Sequence, residues 1–223
     1  MAHPEPALLP DDRAKALKLI DVSRETVAKL DAYVDLLLTW QRTTNLIAPS
    51  TISELWTRHI ADSMQLLSLA PAARTWIDVG SGGGLPGLVI ACALKPPAVA
   101  HLVESNSKKA AFLREAARIA GAPAIVHAQR IEDFPKDFHG VPDVVTARAV
   151  APLTTLLGYV APFVERGAQA LLLKGQDVAG ELTEAAKYWK IDADLVASKT
   201  DSRARIVVVR KVTRIQEPDA SVR

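Results

Sequence analysis

The segment TWIDVGSGGGLPGLVIA, residues 75–91, constrains the fold more than any other. It is an apolar strand, then a turn crowded with glycine, then an apolar helix. Only glycine allows so tight a reversal and so close an approach of backbone to a ligand. A strand–loop–helix unit of this kind opens a parallel sheet covered by helices on both faces. The chain after Thr75 repeats the theme. TWIDV, VAHLVE, AIVH, DVVTA and QALLLK read as strands. Helices begin near Gly84, Asn106 and Leu153, with a short turn at RIEDF. SNSKKAAFLREAARIAG is the best-delimited helix, with Ser105 or Asn106 as N-cap and Gly121 just past its end. After the helical EAAKYWK, DADLVASK and RIVVVRKV form two strands joined by the turn TDSR. They read as an antiparallel pair at the sheet edge, and QEPDASVR as a loose tail.

The residues before Thr75 are helical in pattern. Ser23 caps SRETVAKLDAYVDLLLTWQ, in which Val27, Leu30, Val34, Leu37 and Gln41 recur at helical spacing and Leu38 widens the stripe. STISELWTRHIADSMQLLSLA reads as a second helix, with Ile52, Trp56, Ile60, Met64 and Leu67 on one side. TTNLIAPS connects the two. The chain thus divides into a helical extension (1–72), a sheet domain (73–212) and a tail (213–223). With 223 residues, 49% of them hydrophobic, it can bury a real core. Its single cysteine, Cys92, excludes an intramolecular disulfide and a cysteine-based zinc cluster and fits the cytoplasm. The N-terminus lacks the pattern of a signal peptide, and no run approaches the ~20 apolar residues of a membrane span. Charge is nearly balanced, 27 basic residues against 25 acidic, and says little about nucleic acid.

Read from Gly82, the loop spells G-x-G-x-x-G through Gly84 and Gly87, the fingerprint of dinucleotide sites. Asp78 argues against a dinucleotide. It stands two residues before Gly80, where a pyrophosphate would sit on the glycine turn. At ~5 Å and an effective dielectric of ~20, that repulsion is roughly 3 kcal/mol. A cationic ligand would be attracted instead. S-adenosylmethionine carries ammonium and sulfonium groups and no phosphate. Glu104, ending the second strand, suits its ribose hydroxyls. Ile131 and Glu132, after the third strand, are placed to flank its adenine, and Arg148 follows the fourth.

The remaining motifs point to one family. NLIAPSTISELWTRHIADSMQLL, VGSGGGLPG, LVESNSKKAAFLREAAR, DVVTARAVAPL and LLLKG resemble the bacterial 16S ribosomal RNA methyltransferase G family, also called glucose-inhibited division protein B. The match runs from about Leu37 to Arg210. The most specific elements are R-H-x-x-D-S (Arg58, His59, Asp62, Ser63) and A-R-A-x-A-P-L. The resemblance implies a class I methyltransferase fold: a Rossmann-like seven-stranded sheet with an antiparallel last strand and an N-terminal helical extension. It also implies S-adenosylmethionine-dependent methylation of guanine N7 in 16S RNA, with the small ribosomal subunit or an assembly intermediate as partner. Gly80, Leu85, Ile131, Glu132 and Arg148 would contact the cofactor, beside Asp78 and Gly82, with Glu104 on the ribose. The loop departs slightly from its relatives, reading GSGGGLPG, and Ile131 replaces a commoner alanine.

The chemistry at N7 needs no general base, because that nitrogen already has a lone pair, so no catalytic acid or base is assigned. Cytosine C5 chemistry would need a thiolate, and Cys92 lies within a helix. Exocyclic amines call for an N-P-P-Y element where TARAVAPL stands. His59 and Asp62, three apart on one helical face, read as a hydrogen bond docking the helices onto the sheet rather than a proton relay. His101, His127 and His139 lack metal-ligand spacing, and no metal is expected. Arg42, Arg58, Lys174 and Arg203 are the candidates for RNA contact, with Arg205 also at the terminal hairpin. The alternatives are a methyltransferase for a small molecule or protein, a dinucleotide oxidoreductase, and a non-catalytic RNA-binding module.

Overall fold

The computed structural model describes residues 8–215. In chain order the elements are α1 (Leu8–Leu17), α2 (Arg24–Gln41), the single turn α3 (Asp62–Met64), β1 (Thr75–Val79), α4 (Gly87–Ala93), β2 (Val99–Val103), α5 (Ser107–Ala120), β3 (Ala124–His127), α6 (Phe134–Asp137), β4 (Val144–Arg148), α7 (Leu153–Val164), β5 (Gln169–Lys174), α8 (Val178–Ala185), β6 (Trp189–Ala197) and β7 (Arg205–Arg214). The seven strands form one sheet in the order β3-β2-β1-β4-β5-β7-β6. Strands β1 to β5 are parallel; β7 runs antiparallel between β5 and β6. The tail QEPDASVR lies outside the described residues.

Successive strand residues point to opposite faces, and both faces are buried. Trp76, Leu102, Val144 and Leu171 face a core shared with Leu30, Leu37, Leu55, Ile60, Leu88 and Phe112. Ile77, Val103, Val145 and Leu172 face a second core built on Phe134, Leu156, Val160 and Phe163. The N-terminal helices therefore complete one face of the sheet. Strand order reverses between β1 and its neighbours β2 and β4, and the chain ends of these strands open a crevice there.

Local signals hold where they are strong. Ser23 Oγ accepts from Thr26 N–H at 3.1 Å and caps α2. Asn106, the actual cap of α5, accepts from Lys108 and Lys109 N–H, and Gly121 stops the helix at φ +57°. The second expected helix does not form as one rod. A 3-10 segment (Pro49–Glu54), a π-helical turn (Trp56–Ala61), α3 and a further 3-10 segment (Gln65–Leu69) replace it. The cause is Asp12 of α1. Its Oδ2 takes the N–H groups of Trp56 (2.7 Å) and Thr57 (3.2 Å), which a continuous α-helix would spend on its own preceding turn. Helix α8 also ends early, at Ala185. Trp189 opens β6 and donates its indole N–H to Thr154 O at 3.0 Å. Helix α4 begins at Gly87, three residues later than expected.

Candidate functional site

The glycine loop leaves β1 at the switch point. Gly80 and Ser81 N–H both reach Val103 O, at 2.9 and 3.0 Å, so the loop is tied to β2. Gly80 is left-handed (φ +70°), and a Cβ there would stand 2.7 Å from Val150. Gly82 is also left-handed, but a Cβ on it would meet nothing nearer than Gly80 O at 3.7 Å, so this part of the loop is an open surface. Glu104 clamps it. One carboxylate oxygen accepts from Gly82 N–H at 2.8 Å, the other from Asn106 N–H at 2.7 Å. Each oxygen keeps a lone pair for a hydroxyl donor. The residues present thus fit a ribose beside an open glycine turn.

Asp78 lies behind that loop. It is 1% exposed; its Oδ2 accepts from Gly87 N–H at 3.1 Å and its Oδ1 from Thr146 Oγ1 at 2.9 Å. Burial pushes its carboxyl up to about 6, against the hydrogen bonds from Ser81, Thr146 and Gly87. It ties β1, β4 and α4 together, and its contact with a ligand would be indirect. Leu85 is buried in the first core. Ile131 is half-buried on the second core and Glu132 is exposed, both just after β3.

Across the switch point lies a cleft of about 790 Å³. Its walls come from the helical extension, the end of β4, the end of β5 and the β6–β7 turn. Arg148 borders it beside Ala149, whose φ of +53° is unusual for a residue with a side chain. The guanidinium donates to Arg58 O at 3.1 Å and stands 3.8 Å from Asp62 Oδ2. Of the four residues singled out for RNA contact, Arg58, Lys174 and Arg203 line the cleft; Arg42 does not. They are not equivalent. Lys174 is held 2.6 Å from Glu181 and 3.2 Å from Ala151 O, with its side chain 11% exposed. Arg58 and Arg203 are more than half exposed and pair loosely, at 3.8 Å with Glu54 and 3.4 Å with Asp201. Pairs of that kind contribute little and yield readily to a phosphate.

His59 and Asp62 do not bond to each other. Thr51 Oγ1 gives its one proton to Ala48 O (2.8 Å), so at 2.7 Å it must accept from His59 Nε2–H. That sets the tautomer and leaves Nδ1 a bare acceptor, buried and unpartnered among the described residues. Burial, with the charges of Arg148 and Arg58, pushes His59 down to about 3, so it is neutral. Asp62 does dock the helices onto the sheet: its Oδ1 accepts from Thr200 and Ser198 of the β6–β7 turn. Cys92 is buried, which pushes its thiol up to about 12 and makes it inert as a nucleophile.

Two residues escaped the sequence reading. Tyr33, fully buried, donates to Gly83 O at 2.5 Å and so ties α2 to the glycine loop. Glu181 accepts from Leu153 N–H at 2.6 Å, at the start of α7, while pairing with Lys174. Tyr33 shares a helical face with Leu30 and Leu37, but nothing local marks a partner fifty residues away.

The fold and the sequence both have known relatives. Among solved structures, the fold is similar to the O-methyltransferase from Bacillus cereus in complex with SAH, with a TM-score of 0.57 and 14% identity over 79% of this chain and 90% of that one. It is also similar to the O-methyltransferase TomG from Streptomyces achromogenes in complex with SAM, with a TM-score of 0.59 and 12% identity over 91% and 96%. These likenesses concern the fold alone. Closer in sequence is a ribosomal RNA small subunit methyltransferase G from Bradyrhizobium sp. strain BTAi1, 58% identical over 91% of this chain and 92% of its own length. One from Rhodopseudomonas palustris strain HaA2 is 55% identical over 95% and 91%. The family model for rRNA small subunit methyltransferase G matches residues 26–207. That span takes in the glycine loop, Arg148 and the segment that carries His59 and Asp62, and the chain belongs to the rRNA small subunit methyltransferase G family.

Proposed function

We propose that this chain methylates N7 of one guanine in 16S ribosomal RNA, with S-adenosylmethionine as donor. The observation that carries the reading is the 58% identity, over nine-tenths of the chain, to a relative named for small-subunit ribosomal RNA methylation. The site supports it. Glu104 and the open Gly82 face suit an adenosine ribose, Ile131 and Glu132 border the same strand ends, and Arg148 lines the cleft. S-adenosylmethionine, when bound, supplies an electrophilic methyl group: the N7 lone pair takes the carbon, the C–S pair stays on sulfur, and the positive charge passes to the purine. No residue has to remove a proton from N7. The neutral, weakly basic His59 and the buried Cys92 are consistent with catalysis by placement alone. Exposed Arg58 and Arg203 offer contacts to RNA phosphates at the mouth of the cleft. The test is methylation of small subunits from a strain lacking the protein, with the product mapped by mass. A single 7-methylguanine in 16S RNA is the expected result. Equal methylation of free guanosine and of subunits would overturn the RNA reading in favour of a small-molecule substrate.

A further inference from the structure

An N7 acceptor is common to guanine and adenine, so that nitrogen alone does not choose the base. The two purines differ on the adjoining edge: guanine offers the O6 acceptor and then the N1–H donor, whereas adenine offers the N6–H donor and then the bare N1. A reader of guanine needs a donor beside an acceptor. Several donor–acceptor pairs line the cleft, and Arg148–Asp62 is the mostly buried one whose two members do not bond directly to each other.

Asp62 Oδ1 is saturated by three donors: Gln65 Nε2 at 2.8 Å, Thr200 Oγ1 at 2.8 Å and Ser198 Oγ at 3.3 Å. These bonds lock the carboxylate in place. Its other oxygen, Oδ2, accepts no hydrogen bond among the described residues, and only Arg148 Nη1 stands near it, at 3.8 Å. That gap is too long for a direct hydrogen bond. Arg148 spends Nη1 on Arg58 O, and its Nε and Nη2 have no acceptor among the described residues. Both side chains are mostly buried and line the cleft at the end of β4. A donor fork and a carboxylate oxygen thus stand side by side at the cleft, with no protein partner for their remaining valences among the described residues.

We propose that the Arg148–Asp62 pair reads the target guanine, with the guanidinium facing O6 and the free Oδ2 of Asp62 taking the N1 hydrogen. The proposal rests on the guanine-N7 reading above. Adenine would set donor against donor at Arg148 and acceptor against acceptor at Asp62. The carboxylate has a second effect. As N7 gains the methyl group the purine becomes cationic and N1–H more acidic, so the bond to Asp62 strengthens in the transition state. An interaction of that kind acts on kcat more than on KM.

The test uses small subunits reconstituted with guanine, adenine, inosine or 2-aminopurine at the position the wild-type enzyme methylates. Wild type should accept guanine and inosine, which share O6 and N1–H. It should reject adenine and also 2-aminopurine, which lacks both groups but keeps N7. Asp62→Asn retains the acceptor for Thr200 and Ser198 but sets an N–H against the guanine N1–H. It should lower kcat/KM on guanine by about 10- to 100-fold, chiefly in kcat. The guanine-to-adenine ratio should fall with it. Thr200→Val loosens the docking without touching Oδ2 and should preserve that ratio. S-adenosylhomocysteine affinity should be unchanged in both variants. Methylation of 2-aminopurine at the guanine rate overturns the proposal whether or not Asp62→Asn folds. So does an unchanged ratio in Asp62→Asn, or an equal collapse in Thr200→Val. A methyl group that maps to an atom other than N7 on the guanine subunits overturns the underlying N7 reading, and the proposal along with it.

Discussion

At the scale of single residues, buried polar groups decide most of what can be tested. The Tyr33 hydroxyl supplies Gly83 O with a buried donor, and no water-exposed alternative is at hand. Tyr33→Phe keeps the ring against Phe112 and removes only that bond. The loss should be about 1–3 kcal/mol in urea denaturation, together with weaker S-adenosylhomocysteine binding by calorimetry. Unchanged values would show that the glycine loop does not depend on α2. Histidines set a second expectation. Burial pushes His101 down to about 4 and His59 to about 3, below the ordinary imidazole value of 6.5. The unfolded chain therefore binds more protons below pH 6.5, and these groups cost stability as pH falls from there towards 4. Asp78 has the opposite sign. Its raised value, about 6, favours the folded state at low pH and loses that contribution as pH rises through 6. Replacing His101 by Phe should flatten the acid-side decline in stability, and Asp78→Asn should steepen it. Denaturation at pH 7, 6 and 5 reads both slopes.

At the scale of elements, the informative structure is the junction of β5, α7 and α8. Glu181 on α8 holds Leu153 N–H at the start of α7, and Lys174 at the end of β5 holds both Glu181 and Ala151 O. The loop carrying Ala149 is thereby pinned at its far end. Lys174→Ala and Glu181→Ala should each cost about 1–3 kcal/mol and should be non-additive when combined, because either change removes the same ion pair. Additive losses would show two independent contacts. The segment 49–69 carries a related lesson. Its apolar spacing fits a helix, yet Asp12 takes two of its N–H groups and Ser63 Oγ donates back to His59 O at 2.6 Å. Residues buried on nearly every side, from Leu55 to Leu66, leave no single stripe to enforce one period.

At the scale of the whole molecule, charge around the cleft matters more than the near-neutral total. Exposed Arg58 and Arg203 stand at its rim, Lys174 is sequestered, and Arg42 lies elsewhere at the end of α2. For single-stranded RNA each phosphate neutralised contributes about −0.7 to the log–log slope of affinity against salt. Arg58→Ala and Arg203→Ala should each reduce that slope by about 0.7, whereas Arg42→Ala should leave it unchanged. A fall with Arg42→Ala, and none with the other two, would place the RNA on a different face.

The sequence by itself determined the parallel sheet, the five strands that carry it, the antiparallel pair beside them and the caps of α2 and α5. Those features follow from period, turn residues and capping chemistry, all of which act within a few residues. The order of Asp78, Glu104, Ile131 and Arg148 on successive strand ends was legible for the same reason, since strand ends in a parallel sheet converge on one edge. Tertiary structure decided how each side chain is used. Asp78 turned inward because Gly87 leaves room for its carboxylate beneath α4. Lys174 became a clamp because Glu181 reaches it from the next helix, and Asp62 acquired its docked oxygen from a turn more than 130 residues away. Spacing along the chain reports which face a side chain occupies. Hydrogen-bond partners supplied by distant segments set its charge, its freedom and its role, and no local pattern encodes them.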